Sequence, residues 1–255
     1  MALTDNLVCY WRLEEASGSR ADEVGGRTLT DNNTVTSATG KQGSAAQFVR
    51  ANSEYLSAAS HASLSPGNTD FTFQAWVYLD SEPSGGQMRV IDKYYIGAKE
   101  YALLYLQSSD KFGIAFSSDG SSDSVYLATT GTVTTGTWYC VHFWHDSVNN
   151  QVGISVNAGT ADTTSYSSGV YQGTSEFCIG RTSGPTNFHY WDGRIDEVAL
   201  WSRVLSGAER TSLYNGGSGL AYGDLAGGGA TTRGMAFGSR SKAFNGGRCL
   251  QGVLA

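Results

Sequence analysis

Apolar and polar side chains alternate along most of this chain, and that period of two is the feature that most restricts its fold. In the segment 71–79, one face carries Phe71, Phe73, Ala75, Val77 and Leu79. The segments 111–116, 138–146 and 151–156 alternate in the same way. Successive residues of a β-strand point to opposite faces, so each segment is predicted to be a strand with one buried face. Polar turn clusters between the segments predict an all-β sandwich or barrel.

Glycine and proline usage agrees with many short strands joined by turns. The chain has 33 glycines and only 3 prolines, and charged residues make up 16% of it. Glycine supplies the positive φ angles that tight turns need. A length of 255 residues suits one large β-sandwich. We predict one folded domain over residues 1–222, followed by a Gly-rich arm, 223–255, that lacks the strand pattern.

Charge is spread unevenly between these two parts. The whole chain carries −6 and residues 223–255 carry +3, which leaves −9 on residues 1–222. An acidic body argues against a general nucleic-acid binder. No apolar run reaches the ~18 residues of a membrane span. The first residues lack the basic and apolar regions of a secretory signal. We therefore expect a soluble protein with neither a membrane span nor a signal peptide.

The four cysteines show no metal-binding or redox spacing. Cys9, Cys140 and Cys178 fall within predicted strands, and Cys249 lies in the arm. A thiol inside a strand usually behaves as a small buried apolar group. We favour free thiols over disulfides.

One helix is expected near the end of the body. Ser206 and Glu209 have the spacing of a capping box, and Gly216 and Gly217 follow the next apolar residues. The pattern predicts a helix over roughly residues 207–214.

Six segments, in order, resemble the LamG-like (concanavalin A-like lectin and glucanase) jelly-roll family in its bacterial and phage version. They are CYWRLEEASG, ADEVGG, AAQFVRANSEYLS, DFTFQAWVYLD, GTWYCVHFWHD and a closing DGRIDEVALW with a capped helix ending in Tyr-Asn-Gly. The resemblance covers about residues 5–220. It implies a two-sheet antiparallel jelly roll, but no single function, because this fold carries sugar binders, protein binders and structural domains alike.

Catalysis is not expected. Glucanases of this architecture carry a Glu-x-Asp-x-x-Glu strand, which is absent here. Strand alternation places the adjacent carboxylates of Asp196 and Glu197 on opposite faces. It does the same for His142 and His145, which is wrong for joint metal binding.

Asp196 leaves two alternatives open. It shares the parity of Val198 and Leu200, so it should lean toward the interior unless a bulge intervenes. A buried carboxylate needs an arginine, backbone donors or a cation. The resemblance implies that Asp22 comes close to this strand, and Glu15 is a further candidate ligand. A structural Ca²⁺ held by these oxygen ligands is one expectation. The other is that Asp196 caps a turn or pairs with Arg12 or Arg194.

Ligand contact is predicted at the loop 182–192. Phe188, His189, Tyr190 and Trp191 are consecutive there, with Asp192 beside them, and aromatic faces stack on sugars. The alternative, which we favour, is that Tyr190 and Trp191 are buried and only Phe188 and His189 are exposed. The loop with Asp119 and Asp123 is a second candidate, better explained as a solvated hairpin tip.

The arm is expected to dock on a neighbouring subunit or another protein. Its anchoring candidates are Arg233, Phe237, Arg240, Phe244, Arg248 and Leu250. Ordering such a segment costs about 1–2 kcal/mol per residue, so a partner must hold it. The leading hypothesis is a non-catalytic, lectin-like subunit of an assembly such as a phage or virus particle. A free carbohydrate-binding module and a glycan hydrolase are the alternatives.

Overall fold

Fifteen strands and one α-helix form the body of the protein in the computed structural model, which describes residues 1–129, 131–185 and 188–227. The strands are β1 Leu7–Trp11, β2 Thr30–Asn32, β3 Thr36–Thr39, β4 Ser44–Phe48, β5 Tyr55–Ala58, β6 Phe71–Leu79, β7 Gln87–Tyr95, β8 Ala98–Leu106, β9 Lys111–Phe116, β10 Ser124–Leu127, β11 Trp138–Asp146, β12 Gln151–Val156, β13 Asp162–Ser165, β14 Phe177–Ile179 and β15 Gly193–Trp201. The helix α1 is Gly207–Tyr214. Short 3-10 turns lie at Arg50–Asn52, Ala62–Leu64, Asn215–Gly217 and Tyr222–Gly227.

The strands make two antiparallel sheets. The eight-stranded sheet has the order β13-β12-β11-β6-β15-β4-β3, with β1 also paired to β15. The seven-stranded sheet has the order β10-β9-β8-β7-β14-β5-β2. Neighbouring strands in both sheets run antiparallel, as in a jelly-roll sandwich. The all-β, two-sheet prediction is confirmed.

The main core fills the space between the two sheets. The face of β6 that was predicted to be buried packs there completely, from Phe71 to Leu79. Phe73 stacks on Phe143 of β11 with ring centroids 5.1 Å apart, and it lies 5.0 Å from Tyr101 of β8. These rings join the two sheets across the interior. The free thiols of Cys9, Cys140 and Cys178 are also buried, as predicted.

The outer face of the eight-stranded sheet is covered by α1 and the segments around it. A second apolar cluster forms there from Leu3, Tyr10, Ala199, Trp201, Leu205, Leu213 and Leu225. Trp76 also points to this side, where it stacks on Tyr214 of α1 at 5.7 Å. Polar Thr72 and Gln74 of the same β6 face are buried for the same reason. An outward parity therefore does not mean exposure in this sheet.

The helix agrees with its sequence signals. Ser206 and Glu209 form the capping box, and α1 spans the predicted residues 207–214. Asn215, rather than a glycine, takes the left-handed conformation that ends it, with φ 48°. Asparagine tolerates this conformation better than most residues with a Cβ atom. None of the helices in the described ranges has the length and hydropathy needed to cross a bilayer.

Described residues just past 222 still pack against the body, and the division of the chain at 222 stays a prediction. Leu225 is fully buried in the cluster beneath α1. The side chain of Tyr222 reaches back so that its hydroxyl donates to the carbonyl of Glu23. Residues 223–227 are thus anchored to the body, although sequence analysis places them in the arm.

Replacing Phe73 by alanine is expected to lower the free energy of unfolding by about 3–5 kcal/mol, because it opens a cavity among rings that hold both sheets. Phe188→Ala is the matched control. Its side chain is 40% exposed, so the loss should stay within about 0.5 kcal/mol. Urea unfolding followed by tryptophan fluorescence measures both. Equal losses for the two variants would contradict the assigned core.

Candidate functional site

The segment that follows β14 folds back over the outer face of the seven-stranded sheet. We call residues 180–192 the aromatic loop; its residues 186 and 187 lie outside the described ranges. Its first part runs along β7, where the main-chain N–H of Ser183 donates to the carboxylate of Asp92 at 2.8 Å. Its second part returns beside the same strand, since the N–H of Arg89 donates to the carbonyl of His189 at 2.9 Å. The loop is therefore held against one strand at two points.

Asp92 is the main anchor of this loop. Its carboxylate is fully buried and also accepts the N–H of Tyr94 at 2.8 Å. The guanidinium of Arg89 lies 3.3 Å away. Burial raises the pKa of Asp92, while Arg89 and the N–H donors oppose that shift. A buried carboxylate with these partners fixes the loop position.

A second anchor holds the far end of the loop. The carboxylate of Asp192 accepts the N–H of Arg50 at 3.0 Å and the hydroxyl of Ser81. The carbonyl of Asp192 accepts the N–H of Asp80 at 3.0 Å. Asp192 was predicted to contact a ligand, but its carboxylate is used to tie the loop to the turn after β6.

Phe188 and His189 form the accessible part of the aromatic loop. Phe188 is exposed, and its ring meets the His189 ring edge to face at 4.5 Å. The side-chain oxygen of Thr182 lies 3.1 Å from Nδ1 of His189. Burial and the charge of Arg89 lower the pKa of His189 to about 4. The pair therefore presents a neutral aromatic surface near pH 7.

Tyr190 and Trp191 are buried, which agrees with the favoured alternative. Trp191 belongs to the main core and is closed to a ligand. Tyr190 packs near Tyr55 at 6.4 Å, and the guanidinium of Arg181 lies over the Tyr55 ring at 3.7 Å. Trp191 was named in the predicted ligand set, and its full burial corrects that placement, because a side chain with no exposed surface cannot contact a ligand.

Sequence reasoning missed the residues that position this loop. Arg89 and Asp92 lie in the apolar strand segment MRVIDKYY, and charged residues within such a strand are unusual. That signal marks Asp92 as a buried carboxylate in need of donors. It does not say which distant segment supplies them, since Ser183 is 91 residues away.

The carboxylates predicted to bind calcium have separate partners. Asp22 accepts four main-chain N–H groups, from Tyr10, Val24, Gly25 and Arg27. Glu15 accepts the N–H of Ala21 at 2.6 Å. No group of three His, Cys, Asp or Glu side chains suited to a metal ion occurs within the described ranges. Glu15, Asp22 and Asp196 do not fit one shared site, and calcium binding stays a prediction.

Asp196 and Glu197 lie on the same side of the sheet, which corrects the expectation of opposite faces. The pairing of β15 with β6 shifts between Asp196 and Ala199. Glu197 sits in this bulge with φ 50°. An extra residue resets the alternation, so both carboxylates turn outward, beneath the covering segments.

Both carboxylates are sealed from solvent, at 0% exposure for Asp196 and 1% for Glu197. One oxygen of Asp196 accepts the N–H groups of Lys41 and Gln42, at 2.7 and 3.0 Å. Glu197 accepts the hydroxyl of Tyr10. Burial, followed by the charge of Glu197, raises the pKa of Asp196 to about 8. Burial also raises the pKa of Glu197 to about 7.

The acidic hairpin tip and the two strand histidines have partners within the body. Asp119 accepts the N–H groups of Ser121 and Ser122, and these bonds lower its pKa in an exposed hairpin tip. Asp123 pairs with Lys99 at 2.5 Å. His142 bonds Gln74 on the outer side, whereas His145 stacks on Phe71 in the core, as predicted. The arm residues Arg233, Phe237, Arg240, Phe244, Arg248 and Leu250 lie outside the described residues.

A family model described as the concanavalin A-like lectin/glucanases superfamily matches residues 50–209, more than half of the chain. The chain belongs to this superfamily. The expected resemblance is confirmed, and the match includes β6, the aromatic loop and the bulged strand β15. No curated protein matches the sequence.

Solved structures share the fold at low sequence identity. The binding domain of Paraclostridial Mosquitocidal Protein 1 matches at TM-score 0.70 and 13% identity, over 84% of this chain and 52% of that one. Domain 4 of AbnA, a GH43 extracellular arabinanase from Geobacillus stearothermophilus, was solved in complex with arabinotriose. It matches at TM-score 0.59 and 18% identity, over 87% of this chain and 98% of that one. Trypanosoma rangeli sialidase in complex with sialic acid matches at TM-score 0.60 and 17% identity, over 86% of this chain and 34% of that one. This chain thus spans about half of the toxin binding domain and nearly all of the arabinanase domain.

Because Asp196 and Glu197 are buried with raised pKa values, we predict that the stability of the protein falls as the pH rises. Both folded-state pKa values exceed those of the unfolded chain, so the folded state keeps protons that the unfolded chain releases. That stabilisation is complete below the unfolded-state values near pH 4 and is lost as the pH passes about 7 to 8. Between about pH 6.5 and 8.5 the loss should be on the order of 2 kcal/mol.

Asp196→Asn and Glu197→Gln test this prediction, because each keeps an oxygen acceptor but cannot ionise. Thermal melts across that pH interval should show a shallower fall in Tm for either variant. Asp119→Asn, at the exposed hairpin tip, is the control and should keep the wild-type slope. A wild-type Tm that rises over the interval would contradict the assigned burial.

Proposed function

We propose that this chain is a non-catalytic recognition domain whose aromatic loop contacts saccharide. The observation that carries the proposal is the pairing of the exposed Phe188 with the half-buried His189, a neutral aromatic pair on a loop held by Asp92 and Asp192. Aromatic faces stack on the apolar faces of sugars, and a loop held in place loses little entropy on binding. Several fold relatives bind ligands, including the arabinanase domain solved with arabinotriose.

The acidic residues also favour binding over hydrolysis. A retaining or inverting glycosidase needs two carboxylates that flank the scissile bond in an accessible cleft. Asp196 and Glu197 are close together but covered by the segment containing Lys41 and Gln42. Their raised pKa values follow from burial without access to substrate. They act as structural groups in this proposal.

The domain is further proposed to be a subunit of a larger assembly, such as a phage or virus particle. The basic, Gly-rich arm supports this, since it follows an acidic body and contains Phe237 and Phe244. The body would face outward while the arm docks on a neighbouring subunit. A free carbohydrate-binding module is the second candidate, favoured by the near-complete span of the arabinanase domain.

Saccharide binding is tested by a glycan array with the full chain, followed by calorimetry on any hit. Phe188→Ala should weaken binding by roughly three- to tenfold, because one ring contact contributes about 0.5–1.5 kcal/mol. Asp92→Asn should weaken it as well by loosening the loop. The control is Val148→Ala, an exposed apolar side chain in the turn after β11.

An array without hits would refute the saccharide assignment. Binding that survives Phe188→Ala unchanged would move the contact away from the aromatic loop. Release of reducing ends from any bound polysaccharide would show that the chain is a hydrolase.

The assembly role is tested in the full chain by changing Phe237 and Phe244 to serine together. Light scattering after size exclusion, or incorporation into particles, should show loss of the higher-order species while the body stays folded. Replacing the exposed Val148 by serine is the matched apolar-to-polar control. A wild-type chain that remains monomeric and is absent from particles would favour the free module.

A further inference from the structure

Aromatic and polar side chains form one row across the outer face of the eight-stranded sheet. Trp138 of β11 is the direct partner of Tyr78 of β6, which in turn pairs with Arg194 of β15. Arg194 then pairs with Gln47 of β4. All four are partly exposed, whereas Trp76, two residues before Tyr78, is buried against α1. Neighbouring strands lie about 4.8 Å apart, so the row extends about 14 Å across the surface.

Trp138 supplies the ring of this row that a ligand can reach. Its centroid lies 5.3 Å from that of Tyr78, and the two ring planes are tilted by 55°. The guanidinium of Arg194 lies over the Tyr78 ring at 4.4 Å. Arg194 therefore covers Tyr78, whereas the tilted contact with Tyr78 does not cover the face of Trp138. The other five tryptophans of the chain are buried.

Beside these rings, Asp80 and Arg194 leave a gap that suits a hydroxyl group. Asp80 is exposed, and its Oδ2 accepts the side-chain N–H of Gln47 at 2.8 Å. Its Oδ1 lies 3.9 Å from Nη2 of Arg194, which is too far for a hydrogen bond. A hydroxyl can donate to the carboxylate and accept from the guanidinium at the same time. A carboxylate ligand has only acceptors and an ammonium has only donors, so neither can do both.

We infer that this row is a second saccharide-binding site, which takes a neutral oligosaccharide. One sugar ring stacks on Trp138, and a sugar hydroxyl bridges Asp80 and Arg194. These two side chains carry opposite charges, which favours a neutral ligand over an acidic one. The row shares no side chain with the aromatic loop, which lies against the seven-stranded sheet. The site therefore does not depend on the contact proposed for Phe188.

Acrylamide quenching of tryptophan fluorescence tests this site in the full chain. The accessible part of the emission comes from Trp138, because the other tryptophans are buried. Arabinotriose, xylotetraose and cellotetraose are the neutral probes. We expect at least one of them, at up to millimolar concentration, to protect Trp138 from quenching in a saturable manner. Trigalacturonic acid should bind more weakly, because its carboxylates offer only acceptors to a site that contains Asp80.

Asp80→Ala removes the acceptor for the bridging hydroxyl and should weaken the protection roughly tenfold, since a hydrogen bond to a charged group is lost. Asp119→Ala, at the exposed hairpin tip, is the matched control and should leave the affinity unchanged. Phe188→Ala should also leave it unchanged, because the aromatic loop is a separate site. Thermal melts of each variant check that the body stays folded.

Failure of all three neutral probes to protect Trp138 would overturn the inference. So would an affinity of Asp80→Ala equal to that of the wild type, or tighter binding of trigalacturonic acid. Protection that is lost in Phe188→Ala but kept in Asp80→Ala would place the saccharide on the aromatic loop. That result would overturn this second site and leave the proposed function standing.

Discussion

The apolar contact between the inner faces of the two sheets is the interaction on which the rest of the structure depends. Phe71 and Phe73 of β6 meet rings from the opposite sheet, so the central strands are joined at their middle. The aromatic loop lies outside this core, against the outer face of the seven-stranded sheet. Buried polar groups position this loop, together with Trp191, which packs in the main core.

The bulge in β15 and the anchor at Asp92 show two roles of a buried carboxylate. In the bulge, Asp196 and Glu197 are covered, and burial favours their protonated forms by raising both pKa values. The buried carboxylate of Asp92 accepts the main-chain N–H groups of Ser183 and Tyr94. The bond from Ser183 holds the aromatic loop in place. In the bulge, burial disfavours the charged carboxylates, so stability falls as the pH rises, whereas at Asp92 the hydrogen-bonded carboxylate fixes the position of a loop. The second arrangement supports recognition as the function.

Much of the site was within reach of sequence reasoning, and its limits have physical causes. Phe188 is exposed, as the loop's lack of alternation led us to expect, whereas His189 is half-buried. The face assignment failed at Glu197, since a single inserted residue reverses every later parity and leaves no mark in composition. Asp192 accepts the N–H of Arg50, a contact that the sequence did not indicate, because a carboxylate beside aromatic residues has the same appearance whether it binds a sugar or a neighbouring loop; its ligand contact stays a prediction.

The sequence by itself determined the fold class, the buried face of the long strands, the capped helix and the family, because each depends on local periodicity or on short ordered motifs. The tertiary structure alone decided which polar groups are buried, where β15 bulges and how the aromatic loop is anchored. It also decided that Arg194 lies over Tyr78 and beside Asp80. These features depend on contacts between residues far apart in the chain, and no local pattern encodes the distance between them.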